Sequence, residues 1–126
     1  SALLQPYLAS VDQQGETALV YFGGEASHAF RKGPLLRLDS ALVEGLFAPE
    51  EITARQPGAD ERALAAAAYA AIPFETPLYA RIDMIRDDKG APVLLELEMT
   101  EPSVYFRHAA GSADRLARLL IARCNG

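Results

Sequence analysis

Residues 78–99 constrain the fold most strongly, because apolar and charged side chains alternate there on both sides of a turn. Two strand-like runs flank the turn-forming residues DDKG. If Asp87 faces Gly90, then Arg81 faces Glu96 and Asp83 faces Leu94. A slip of one residue would place charges in the apolar row, so the pattern specifies the register. One face is entirely apolar and carries Leu78, Ala80, Ile82, Met84, Val93, Leu95, Leu97 and Met99.

The opposite face of this hairpin collects three carboxylates, Asp83, Glu96 and Glu98, with Arg81 among them. Two carboxylates about 5 Å apart repel by roughly 3 kcal/mol at an effective dielectric constant of 20. One arginine cannot neutralise three acids, whereas a divalent cation could, and oxygen ligands favour Mg²⁺ or Mn²⁺ over zinc. The alternative is a solvated outer face of an antiparallel sheet, where acidic side chains are ordinary.

The rest of the chain predicts further strands and two helices. Residues 17–33 are predicted to form a hairpin that turns at Gly23-Gly24. Helix formers fill residues 59–71, and Ser112 is the expected N-cap of a last helix. Residues 2–8 are expected to be a short strand, residues 9–16 include a polar connection, and residues 34–58 are irregular with a short extended piece at EEIT. The predicted class is α+β, with a mostly antiparallel sheet and flanking helices.

Length and composition limit the functions that the chain can have. A chain of 126 residues is expected to form one domain. The net charge of −5, without a basic stripe, argues against nucleic-acid binding, and no apolar stretch approaches the length of a membrane span. The single cysteine, Cys124, cannot form an internal disulfide, which favours a cytoplasmic setting.

Four segments in order resemble the ATP-grasp ligases, most closely the branch of glutathione synthetase, RimK-type and D-alanine–D-alanine ligases. YARID followed by LLELEMTEP resembles the pair of strands that binds magnesium in that family. Upstream, LLQPYL resembles the hinge strand that contacts adenine, and GETALVYFGGEASHAFRKGP resembles the strand pair that follows it. The resemblance implies a C-terminal ATP-grasp subdomain over residues 1–126, with the upstream domain and the phosphate-loop subdomain absent.

The resemblance also implies roles for individual residues. Asp83, Glu96 and Glu98 match the metal ligands, although the family often has Asn at the third position. Arg81 matches an arginine that contacts the transferring phosphate, and Lys32, or alternatively Arg31, matches a basic residue that reaches phosphate. EMTEPS departs from the family's N-x-x-P-G pattern, so substrate contacts are not carried over. The expected nucleotide contacts are Gln5, Tyr7 and Leu8 for adenine and Glu16 for the ribose.

The expected function is therefore an ATP- and Mg²⁺-dependent (or Mn²⁺-dependent) ligase that joins a carboxylate to an amine through an acyl phosphate. Its expected partners are small-molecule carboxylate and amine substrates, with no nucleic acid and no membrane, and a homo-oligomer is possible. Both D-cycloserine-type and peptide-forming ligases fit the resemblance. The chain alone is expected to be inactive as a fragment. The alternative is a non-catalytic module that binds a nucleotide or a partner.

Overall fold

A five-stranded antiparallel sheet with helices on both faces forms the fold, as the α+β prediction requires. The computed structural model describes residues 2, 4–34 and 51–125. The strand order is β3-β2-β1-β4-β5. The elements are α1 (Ser10–Gln14), β1 (Glu16–Phe22), β2 (Glu25–Lys32), β3 (Ile52–Ala54), α2 (Ala59–Ala70), β4 (Tyr79–Arg86), β5 (Pro92–Glu98), a 3₁₀ turn (Phe106–His108) and α3 (Ser112–Cys124).

The predicted hairpin of β1 and β2 is present, and it turns at Gly23 and Gly24. Their φ angles of 58° and 94° are both in the left-handed region, which a tight hairpin turn requires and glycine adopts without a steric penalty. Strand β1 is central and pairs with both β2 and β4. Its residues from Thr17 to Phe22 are accordingly all buried.

The hairpin of β4 and β5 is present, but its predicted register is wrong, by two residues at Arg81 and Asp83 and by one residue nearer the turn. Arg81 lies opposite Glu98, and Asp83 lies opposite Glu96. The register then shifts, so that Met84 pairs with Leu94 and Leu95 is left as the extra residue of a bulge. The turn is also longer than expected, because the Asp87 amide donates to the carbonyl of Ala91. At Arg81 and Asp83 the shift is two residues and keeps the predicted face, whereas between the bulge and the turn it is one residue, so that Leu94 rather than Val93 lies opposite Met84.

Helix α2 covers one face of the sheet, and Glu61 in its first turn anchors it there. The Glu61 carboxylate is buried, accepts a hydrogen bond from the Thr17 hydroxyl at 2.7 Å and accepts another from the Gly58 amide at 2.6 Å. The core on this face contains Leu19, Tyr21, Ala29, Ala65, Ala80, Ile82 and Met84, with Leu64, Ala68, Tyr69, Leu97 and Met99 packed against it.

Helix α3 and the 3₁₀ turn lie over part of the other face. The core there contains Ala18, Val20, Phe22, Phe30 and Ile52, with Tyr79, Val104, Tyr105, Leu116 and Leu119 packed against it. Val93 and Leu95 were predicted to belong to the apolar row, but both are exposed at 38%. The bulge interrupts the alternation there, and among the described strands β5 pairs with β4 alone, at the edge of the sheet.

The N-terminal segment differs from the prediction. Among its described residues, 2 and 4–8 form no strand, and the polar connection contains α1. The Ser10 hydroxyl donates to the Arg86 carbonyl, which holds α1 beside the end of β4. The extended piece at EEIT is confirmed as β3, whereas residues 35–50 of the irregular segment lie outside the described residues.

The last helix begins one residue earlier than predicted. Gly111, with φ 78°, is the N-cap, and Ser112 is the first helical residue. The Ser112 hydroxyl donates to the Ala109 carbonyl at 2.6 Å rather than capping an amide of the helix. None of the helices within the described ranges is long and apolar enough to cross a membrane.

Candidate functional site

Six charged side chains from four neighbouring strands meet on the face of the sheet that α3 partly covers. Alternation along the strands places them together, since Glu16 pairs with Lys32 and Arg81 pairs with Glu98 across adjacent strands. We call this group the charged cluster; it consists of Glu16, Lys32, Arg81, Asp83, Glu96 and Glu98.

Three carboxylates of the charged cluster converge as the sequence predicts. Asp83, Glu96 and Glu98 each offer an oxygen atom, and these atoms lie within 4.8 Å of one another. Their burial is graded, because Asp83 is fully buried, Glu98 is half-buried and Glu96 is exposed. Full burial of Asp83 argues against a plain solvated acidic face, because a buried carboxylate requires charged or hydrogen-bonding partners.

Arg81 supplies most of the partners of Asp83. Its Nε lies 2.9 Å from Asp83 Oδ1, and its Nη2 lies 2.8 Å from Asp83 Oδ2. The same Nη2 is 2.7 Å from Glu98 Oε1, and Nη1 donates to the Ser103 carbonyl at 3.2 Å. The guanidinium is therefore held on several sides, and its exposure is only 6%.

Lys32 connects the other side of Asp83 to Glu16. Its Nζ lies 2.9 Å from Asp83 Oδ2 and 2.7 Å from Glu16 Oε2. Burial lowers the pKa of Lys32, but its contacts with Glu16 and Asp83 outweigh this effect and raise the pKa overall. Lys32 is therefore charged at neutral pH.

Glu98 is less well compensated than Asp83. Burial raises the pKa of Glu98, the charge of Arg81 opposes that rise, and the negative charges of Glu96 and Asp83 add to it. The net direction is upward. Glu98 therefore ionises less readily than an ordinary glutamate when Arg81 is the cation that compensates it.

The donor set fits a hard divalent cation. The charged cluster has four carboxylates and two basic groups, so it retains two negative charges when all are ionised. Carboxylate oxygens are the ligands that Mg²⁺ and Mn²⁺ prefer. Asp83, Glu96 and Glu98 are the residues that could hold such an ion.

The residues predicted to contact a nucleotide line one cavity beside the charged cluster. This cavity has a volume of about 350 Å³. The Tyr7 hydroxyl donates to Asp12 Oδ1 at 2.6 Å, so the ring, rather than a free hydroxyl, is available to the cavity. Glu16 belongs both to this cavity and to the charged cluster. The lining comprises Gln5, Pro6, Tyr7, Leu8, Val11, Glu16, Pro34, Ile85 and Leu95.

The structure separates the two basic candidates, Arg31 and Lys32. Arg31 points to the opposite face, where its Nε donates to the Gln14 carbonyl at 2.8 Å and its Nη1 lies 3.6 Å from Glu51 Oε1. Adjacent residues of a strand face opposite sides of the sheet, so only one of the two could join the charged cluster. Lys32 is that residue.

Two residues that help to form the charged cluster were missed in the sequence. Gly15 has φ 67°, and a Cβ there would lie 2.3 Å from the Lys32 carbonyl oxygen, so glycine permits the close approach of α1 and β2. The glycine directly before the strand residue Glu16 is the available signal for this. Ser103 contributes its backbone carbonyl to Arg81, which no pattern of side chains could have indicated.

In sequence and in fold the chain is similar to ATP-grasp ligases. Over 96% of its length the chain is 39% identical to the cycloserine biosynthesis protein DcsG of Streptomyces lavendulae, of which it covers 42%. The crystal structure of D-cycloserine synthetase DcsG superposes with a TM-score of 0.80, at 35% identity, over 94% of this chain and 41% of that one.

More distant structures share the fold. The ATP-grasp ligase PsnB, solved with minimal precursor, Mg and ADP, has a TM-score of 0.57 at 13% identity and covers 84% of this chain and 32% of its own. D-alanine–D-alanine ligase from Bacillus anthracis has a TM-score of 0.57 at 21% identity, over 85% of this chain and 38% of its own. No protein-family model matches the chain. The chain spans about two fifths of the length of the DcsG relatives.

Proposed function

We propose that this chain is the C-terminal portion of an ATP- and Mg²⁺-dependent ligase that activates a carboxylate as an acyl phosphate and then joins it to an amine. The observation that carries the proposal is the convergence of Asp83, Glu96 and Glu98 beside two basic side chains and next to the cavity. Phosphoryl transfer needs this combination, because positioning and charge neutralisation supply most of the catalysis.

Each residue of the charged cluster then has a defined task. Asp83, Glu96 and Glu98 would hold a divalent cation, which neutralises phosphate charge when it is bound. Arg81 presents a planar fork, held by Asp83 and the Ser103 carbonyl, that suits phosphate oxygens. Lys32 adds a second positive charge close to the cavity. No residue has to form a covalent bond to the substrate.

The nucleotide would lie in the cavity, with its phosphates toward the charged cluster. Gln5, Tyr7 and Leu8 line the part of the cavity proposed for adenine, and Glu16 is proposed to bind the ribose. The ion pair of Glu16 with Lys32 brings this residue close to the proposed phosphate region. The similarity to D-cycloserine synthetase favours a small-molecule product of the D-cycloserine type over a peptide.

The test is substrate-dependent ADP release by the longer protein that contains this chain, assayed with ATP, Mg²⁺ and a panel of small amino-acid derivatives. We expect ADP and a condensed product that mass spectrometry detects, both abolished by EDTA. Saturable binding of ATP without ADP release would instead favour the non-catalytic binding module. The chain of 126 residues alone is expected to release no ADP, because it spans only part of its relatives.

A further inference from the structure

Lys32 occupies a position in which a basic side chain competes with a metal ion for the same carboxylate. Its Nζ lies between Glu16 on β1 and Asp83 on β4, at 2.7 and 2.9 Å, and the side chain is only 13% exposed. A lysine this deep loses much of its hydration, so the two carboxylates have to compensate its charge. Lys32 is thus held firmly in this position as long as no other anion is near.

Both oxygens of Asp83 are already in contact with positive groups. Oδ1 accepts from Arg81 Nε at 2.9 Å, and Oδ2 accepts from Arg81 Nη2 at 2.8 Å and from Lys32 Nζ at 2.9 Å. A divalent cation that used Asp83 would therefore approach two positive charges at contact distance. Like charges in a partly buried site repel strongly, since water screens them less there.

Lys32 and Arg81 are not equally able to move away from Asp83. Arg81 contacts both oxygens of Asp83, Glu98 Oε1 and the carbonyl of Ser103, which fixes its planar group. Lys32 is the last residue of β2, and its ammonium is a single point at the end of a flexible stem. Rotation about that stem can take the ammonium off Asp83 without disturbing the strand.

We propose that Lys32 acts as a resident counter-cation, which keeps Asp83 closed to a divalent cation until nucleotide phosphate draws the ammonium away. The proposal rests on the proposed function, because it assumes that Asp83, Glu96 and Glu98 form the metal site. Lys32 is in this respect a positioning residue that acts through Asp83. Its consequence is that the metal ion binds weakly alone and tightly with nucleotide, a positive coupling between two ligands.

The experiment measures the binding of Mn²⁺ to the 126-residue chain by the electron paramagnetic resonance signal of the free ion. Lys32→Met is compared with the wild type and with Lys89→Met, which removes the same charge from the exposed turn between β4 and β5. We expect Lys32→Met to bind Mn²⁺ alone at least about tenfold more tightly, within the range of about 5–150-fold that is common for such coupling. Lys89→Met should behave as the wild type does.

A second measurement needs no variant and therefore does not depend on the folding of Lys32→Met. With ADP added, and with a protein-free blank of Mn²⁺ and ADP subtracted, the wild type should bind Mn²⁺ several-fold more tightly than without ADP. Equal wild-type affinities with and without ADP would overturn the role of Lys32. So would equal Mn²⁺ affinities of a folded Lys32→Met, as judged by circular dichroism, and of Lys89→Met.

Failure of the proposed function gives a different result. If neither the wild type nor either variant binds Mn²⁺, with or without ADP, the three carboxylates are not a metal site, and both proposals are contradicted. If the wild type, Lys32→Met and Lys89→Met all bind Mn²⁺ with the same affinity, the result supports the metal site and contradicts only the role of Lys32.

Discussion

Arg81 and Asp83 lie two residues apart on β4, and the guanidinium of the first contacts both carboxylate oxygens of the second. The distances are 2.9 Å from Nε to Oδ1 and 2.8 Å from Nη2 to Oδ2. Residues i and i+2 of a strand point to the same face, so the backbone itself brings the two groups together. The pair is buried, and each charge therefore depends on the other.

Replacing Asp83 with asparagine should destabilise the fold strongly. Asp83→Asn leaves Arg81 and Lys32 buried without their shared negative partner, and removing one member of a buried pair costs roughly 3–5 kcal/mol. The free energy of unfolding, measured by urea titration, checks this. Asp60→Asn is the matched control, because it breaks a more exposed pair with Arg86. Losses of equal size in the two variants would contradict the structural importance of the Arg81–Asp83 pair.

Glu96 should be required for metal binding but not for folding. Its side chain is exposed, and its removal relieves repulsion within the charged cluster. Glu96→Gln should therefore keep the melting temperature of the wild type or raise it. Its affinity for Mn²⁺ in the presence of ADP should fall by roughly 10–100-fold, the loss that even outer partners of a metal ligand cause.

The control for Glu96→Gln is Glu75→Gln, which removes one exposed acid outside the charged cluster. Calorimetry at constant ionic strength measures the Mn²⁺ affinity of both variants. Because each variant loses one negative charge, the difference between the two affinities excludes a general effect of net charge. Unchanged Mn²⁺ affinity in a folded Glu96→Gln protein would falsify the assignment of Glu96 to the metal site.

Arg81→Lys should slow the proposed ligase reaction of the longer protein more than it weakens nucleotide binding. A lysine keeps the charge but loses the planar fork, and the contact should strengthen as negative charge develops on the phosphate. Loss of one such contact typically lowers kcat by about 10²–10³-fold. We expect the change in KM for ATP to be smaller.

Arg86→Lys is the matched control for this variant, since Arg86 lies on the same strand and is also ion-paired, but with Asp60 and Glu61 outside the charged cluster. Steady-state kinetics of both variants separate a local effect on phosphate from a general weakening of β4. Equal kcat values for Arg81→Lys and wild type would remove Arg81 from the proposed mechanism.

The faces of the strands could be predicted from the sequence, but the contacts between them could not. Alternation in YARID and LELEM suffices to place Asp83, Glu96 and Glu98 on one face. The bulge at Leu95 and the longer turn after Asp87 moved the register at the candidate site by two residues, because neither leaves a mark in the alternation. The error was harmless for the candidate site since an even shift preserves the faces.

The choice between Arg31 and Lys32 needed the structure. Both are basic and adjacent, and only the position of β2 against β1 and α1 decides which one meets the acids. The contact of Arg81 with the Ser103 carbonyl could not be predicted from the sequence either, because every residue has a backbone carbonyl. The prediction of a strand over residues 2–8 was wrong for another reason. Apolar content alone suggested that strand, but the described residues of this segment pair with no strand of the sheet.

The stability of the metal-free protein should depend on pH through Glu98. Burial and the neighbouring carboxylates raise the pKa of Glu98 above its ordinary value of 4.5, so ionising it costs more in the folded state than in the unfolded state. Below pH 4.5 the group is protonated in both states and its effect on stability vanishes. As the pH rises through the folded pKa toward 7, both states become ionised and the full destabilisation appears.

Glu98→Gln should therefore raise the melting temperature at pH 7 in the presence of EDTA, and this gain should shrink toward zero as the pH falls below about 4.5. The glutamine can still accept a hydrogen bond from Arg81, so the variant removes mainly the charge. Glu75→Gln, changed outside the charged cluster, should show no comparable gain. Scanning calorimetry of the three proteins between pH 4 and pH 8 measures the difference. A Glu98→Gln protein that melts below the wild type at pH 7 would mean that the attraction of Arg81 outweighs burial and repulsion, contrary to the direction of the pKa shift.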